Sequence, residues 1–117
     1  MKEKPNIKKE DTMPEFALIY HGSPQFSSAQ DGQDHMTRWK AWSAGLGDAM
    51  IVPGAPFGPS KTIQSDGSVQ DGAPDPAAGY TVIEAADMDA AIALAKPCPH
   101  LDAGGTLEIA QTMDMEM

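Results

Sequence analysis

Three histidines, His21, His35 and His100, carry the only side chains of this 117-residue chain with an ordinary pKa close to neutrality, so they are the first candidates for proton transfer. His35 stands in Asp34-His35-Met36-Thr37-Arg38-Trp39, one helical turn before Trp39. On a helix, that spacing lets it reach a cleft between the helix and a sheet. If a carboxylate orients one ring nitrogen, the other can take a proton from a carbon or hydroxyl acid. Asp34 and Asp48 are the candidate partners, and the competing reading is a solvated histidine at a helix start. His21 ends an apolar run and precedes Gly22-Ser23-Pro24, a strand-end position that suits a functional side chain, with a solvated turn residue as the alternative. His100, in Cys98-Pro99-His100, terminates a helix, where an imidazolium is favoured by the negative end of the helix dipole, so capping competes with catalysis there. The single cysteine, Cys98, would need a lowered pKa to act as a nucleophile; a helix C-terminus works against that, and buried packing is expected.

Arg38, Trp39, Trp42 and His100 complete the set that could wall a small-molecule pocket. Trp39 and Trp42 share one side of a helix, which fits core or dimer packing as well as a pocket wall. No metal is expected, because His-x-x-x-His spacing and cysteine clusters are both missing from the sequence. No cofactor is expected either: Gly104-Gly105 precedes a strand, not a helix, so it makes no phosphate loop.

The elements that must position these residues alternate between strand and helix. Glu15 to Tyr20 is a short apolar run, and Met36, Trp39, Trp42 or Ser43, and Leu46 mark a helical stripe from about 33 to 46. Ala49 to Val52 reads as a second strand stopped by Pro53-Gly54-Ala55-Pro56. Asp66-Gly67 sets a hairpin between residues 61–64 and 69–70. Tyr80 to Ile83 is a further strand, Asp87 caps a helix from Met88 to about Lys96, and Thr106 to Ile109 alternates as the last strand. This order predicts an α+β domain, a ferredoxin-like βαββαβ sheet with both helices on one face. The bare second face then calls for a partner, and a homodimer is the economical one. Residues 1–12 read as a flexible charged extension, 13–112 as the single domain and 113–117 as a frayed tail.

Composition narrows the function classes. Leu, Ile, Val and Phe make up only 18 of the 117 residues, and the net charge is −9, a balance that borders on that of disordered chains. Eight basic against seventeen acidic residues argue against nucleic acid, which needs a basic face to replace counterions. No apolar run approaches the ~18–20 residues of a membrane span, and a cytoplasmic protein is expected.

Several pieces together resemble the YCII-related family, the DGPF-type proteins of bacteria. They are Met13-Pro-Glu-Phe16, Trp39-Lys-Ala-Trp42, Val52-Pro-Gly-Ala-Pro56, Val69-Gln-Asp-Gly72, Gly79-Tyr-x-Val-Ile-Glu-Ala85, Asp87-x-Asp-x-Ala-Ile92, Ala95-Lys-x-Cys-Pro-His-Leu101 and Gly104-Gly-x-Leu-Glu-Ile109. The likeness covers about 100 residues and departs at Asp71-Gly72-Ala73-Pro74, where the family pattern has Pro and an aromatic after Gly. It implies a dimeric α+β barrel, two sheets back to back around an interior. Some family members are proposed to carry a His–Asp pair, the histidine early in the first helix within His-x-x-Arg; His35-Met-Thr-Arg38 matches that, and Asp48 is the nearest acid to the second position. The resemblance leaves two readings open. One is a small-molecule enzyme of lyase, hydrolase or isomerase type with His35 as general base, Asp48 or Asp34 orienting it and His21 as a further catalytic candidate. The other is a non-catalytic ligand-binding or regulatory dimer.

Overall fold

The computed structural model describes residues 13–23 and 26–114. The expected extension at 1–12 and the last three residues of the expected tail lie outside that range. The chain runs β1 (Glu15–His21), α1 (Ala29–Leu46), a one-turn 3-10 helix (Gly47–Ala49), β2 (Met50–Pro56), β3 (Lys61–Ile63), β4 (Val69–Asp71), β5 (Ala77–Glu84), α2 (Met88–Ala95), α3 (Pro99–Asp102) and β6 (Thr106–Gln111). The main sheet is antiparallel in the order β2-β5-β1-β6, with β3 and β4 forming a separate hairpin. Leaving that hairpin aside, this is the ferredoxin-like strand order of an α+β domain.

Alternation along β1 divides the sheet into two faces. Phe16, Leu18 and Tyr20 are buried, and the register sets them level with Ile83 and Thr81 of β5 and with Ile109 and Leu107 of β6. Leu46 from α1 and Ala91 and Ala95 from α2 join the same core, so both helices cover this face. The Trp42 indole N–H donates to the Leu94 carbonyl at 3.0 Å and ties α1 to the last turn of α2. The small alanines on α2 let that helix lie close to the strands, which is how a chain poor in Leu, Ile and Val still closes a core. The second face carries Ala17, Ile19, Tyr80 and Val82, only half-buried. Phe57 stacks on Tyr80 there, with ring centres 5.7 Å apart.

Several elements depart from the sequence expectation, β5 starting at Ala77 rather than Tyr80 and β6 reaching Gln111, and three departures have a clear local reason. Helix α1 begins at Ala29 rather than near Gln33, because Ser28 caps it, its hydroxyl accepting from the Asp31 N–H at 3.1 Å. Strand β2 does not stop at Val52 but continues through Pro53 to Pro56. It is an edge strand with two register shifts against β5, and prolines are tolerated where no ladder bond is needed. Gly54 makes the close approach possible: its φ is +78°, and a Cβ there would lie 2.6 Å from the Tyr80 carbonyl carbon. Third, α2 ends at Ala95 with Lys96 as its C-cap, as expected, but Pro99 then starts a separate short helix α3 that the sequence pattern does not announce. The hairpin turn at Asp66-Gly67 forms as read, with Asp66 Oδ1 accepting from the Ser68 N–H at 2.9 Å.

Candidate functional site

Once Ser28 fixes the start of α1, Asp31, Asp34, His35 and Arg38 fall at i, i+3, i+4 and i+7 and share one helix face. That face lines a pocket of about 590 Å³, completed by Phe26 and Ser27 before the helix and by Asp102 and Ala103 at the end of α3. Ser27 donates to the Asp31 carboxylate, and the Gln30 amide donates to Asp34 Oδ1 at 2.9 Å.

His35 is 6% exposed and sits where the pocket meets the core. Its Nε2 lies 2.7 Å from the Trp39 indole nitrogen. An indole N–H only donates, so Nε2 must be the acceptor and the neutral ring carries its proton on Nδ1. That Nδ1 is sealed from solvent and has no hydrogen-bond partner among the described residues. Burial, the Arg38 charge and the nearby His100 all hold the His35 pKa below its ordinary value, although Asp102 works slightly against them. Protonation would also cost the Trp39 bond, since an imidazolium has no lone pair to accept with. An unpaired N–H in this position costs about 1–3 kcal/mol, a penalty that core packing alone does not explain.

Trp39 is the hub behind the site. Its ring meets Tyr20 edge-on at 5.1 Å and Trp42 at 5.4 Å, while Phe26 leans over His35 at 4.9 Å. Tyr20 is fixed from its far end, its hydroxyl donating to Thr81 Oγ1 at 2.7 Å and Thr81 in turn donating to the Pro53 carbonyl at 3.1 Å. Burial pushes the Tyr20 phenol up to about 12, so it stays a donor across the working pH range. Both tryptophans therefore serve the core, and Trp39 also supports the pocket.

The other candidates lie elsewhere. Asp48 is in the 3-10 turn beyond the far end of α1. Thirteen residues of mostly helical rise put it about 20 Å from His35, too far to orient it within one chain. Asp34 lines the pocket but bonds Gln30 rather than the imidazole. His21 belongs to the second face of the sheet: its Nε2–H donates to Glu108 Oε1 at 2.9 Å and its Nδ1–H to the Asp75 carbonyl at 3.0 Å, with the Asp75 carboxylate 3.4 Å away. With acceptors on both nitrogens, the imidazolium is favoured, and the Glu108 hydrogen bond is the main reason its pKa is raised.

His100 is a buried packing residue and does not cap α2. It is 3% exposed, its Nε2–H donates to the His21 carbonyl at 2.7 Å, and its ring packs edge-on to Tyr20. Gly105 makes room for it, since a Cβ there would lie 2.6 Å from two ring carbons. Cys98 is buried as expected, and burial pushes its thiol up to about 11, which leaves it inert. Among the described residues, no three His, Cys, Asp or Glu side chains converge in a way that could hold a metal ion. Nor is any helix there long and apolar enough to cross a membrane.

Phe26, Ser27, Asp31, Asp102 and Ala103 are pocket residues that no sequence signal singled out. The Ser28-x-x-Asp31 capping pattern could have found Asp31, whereas Asp102 is brought in only by tertiary packing. No protein-family model matches this chain, and no curated protein matches it.

Proposed function

We propose that the chain is a YCII-related α+β domain acting as a homodimeric small-ligand-binding module, with its ligand in the pocket between α1, the segment before it and the end of α3. The observation that carries this reading is the sealed Nδ1–H of His35, a buried donor with no acceptor among the described residues, on a residue that lines the pocket. Arg38 supplies a cation in the same lining. Trp39 holds the imidazole as the Nδ1–H tautomer, so the ring offers a hydrogen bond rather than a base. Support for the homodimer is the second sheet face, where Ala17, Ile19, Tyr80 and Val82 form a half-buried apolar surface flanked by Phe57. Sedimentation of the full chain at micromolar concentration should give about twice its 12.4 kDa mass, and a clean monomer would sink the dimer.

A second reading has one observation in its favour. At neutral pH His35 is unprotonated, as a general base must be. For it to act as one, the Trp39 N–H would have to leave Nε2 and free its lone pair. The two readings separate in the variant Trp39→Phe: an enzyme using His35 as base keeps or gains rate, and a module that needs the Nδ1–H donor loses ligand affinity.

A further inference from the structure

The chemistry of the lining restricts what the pocket can hold. It offers one cation, Arg38, one neutral donor, His35 Nδ1–H, and three carboxylates, Asp31, Asp34 and Asp102. A simple anion would meet Arg38 and His35 but would face a net excess of negative charge. A simple cation would satisfy the carboxylates and leave both donors unpaired, one of them buried. An uncharged polyol would answer neither charge. The carboxylates do not converge as metal ligands, which favours an organic ammonium over a bare cation.

We infer that this pocket binds a small zwitterion, a molecule with a carboxylate and an ammonium a few bonds apart. Its carboxylate accepts from Arg38 and from His35 Nδ1–H, and its ammonium donates to Asp34 and Asp102. The inference rests on the ligand-binding reading above and names the class of ligand. Asp31 is already engaged by Ser27, whereas the Gln30 bond occupies only one oxygen of Asp34. Phe26 is 45% exposed and packs on the His35 ring with centres 4.9 Å apart, and the proposal requires it to swing aside as a carboxylate reaches the buried Nδ1.

The test is a titration of the isotope-labelled full chain, followed by NMR at the His35 ring nitrogens and the Trp39 indole N–H. The ligands are glycine and its longer ω-amino acid homologues, acetate, ethylammonium and glycerol, each alone at matched ionic strength. The expected result is a saturable shift at both reporters with at least one ω-amino acid, about tenfold tighter than acetate or ethylammonium. Arg38→Gln and Asp34→Asn, both at exposed positions, should each weaken that binding several-fold and leave the rest of the spectrum in place. If acetate, ethylammonium or glycerol binds the pocket as tightly as the best zwitterion, the zwitterion is wrong while the pocket reading stands. If no ligand moves His35, both fall.

Discussion

Replacing His35 with phenylalanine separates a residue kept for binding from one kept for packing. The substitution removes a buried N–H with no partner among the described residues, a relief worth about 1–3 kcal/mol. It also removes the acceptor of the Trp39 indole N–H, a neutral bond worth about 0.5–1.5 kcal/mol. Trp39 is only half-buried, so its N–H can turn to water and avoid the full desolvation penalty. The slightly larger ring presses on Phe26, which is exposed enough to yield. The net expectation for His35→Phe runs from no change to a gain of about 2 kcal/mol, with ligand binding lost. Urea unfolding followed by tryptophan fluorescence measures it, with an unchanged m-value as the check on two-state behaviour. A loss of more than about 2 kcal/mol would instead show that the imidazole is satisfied and structural.

The joint contribution of His21 and His35 to stability should peak near their shared unfolded value of 6.5. His35 has a lowered folded pKa, so its contribution is full above the unfolded value of 6.5 and is lost as pH falls below it. His21 has a raised folded pKa, so its contribution is full below 6.5 and is lost as pH rises through the folded value. The His21 limb should be shallow and fade with salt, since its acidic partners are exposed, and His21→Gln should abolish it while His35→Phe flattens the acid limb. Gly105→Ala should cost about 2–4 kcal/mol in thermal or urea melts, because the new methyl drives into the locked His100 ring; a change within 0.5 kcal/mol would contradict that packing. Ile19→Lys, in the middle of the second sheet face, should convert the proposed dimer to monomer with little change in the circular dichroism of the chain, and an intact dimer would move the interface elsewhere.

Much of the fold could be read from local signals. The alternation in β1, the Asp66-Gly67 turn and the Asp87 cap each depend on neighbours within a few residues, and each forms where the pattern puts it. The α1 stripe holds at Trp39, Trp42 and Leu46, but Met36 is 54% exposed and His35 turns inward in its place. The first turn of α1 was missed because its residues are polar and leave no apolar period. The information lay in the Ser28 cap instead, and with it the pocket face of Asp31, Asp34, His35 and Arg38. Strand β2 ran past its prolines because edge position, a property of the whole sheet, decides whether a missing N–H matters. The roles of His21 and His100 depend on contacts spanning 54 to 87 residues of chain, to Asp75, His21 and Glu108, and no local pattern encodes them. Of the residues expected to form the site, His35 and Arg38 line the pocket whereas Trp39, Trp42 and His100 do not, and the donor state of His35 follows only from where the Trp39 indole points.

A long-range nitrogen–proton NMR correlation of the His35 ring at neutral pH reads that donor state. The expected spectrum is that of a neutral ring with its proton on Nδ1, with the Trp39 indole N–H shifted by its bond to Nε2. A proton on Nε2, or a charged ring at neutral pH, would contradict it.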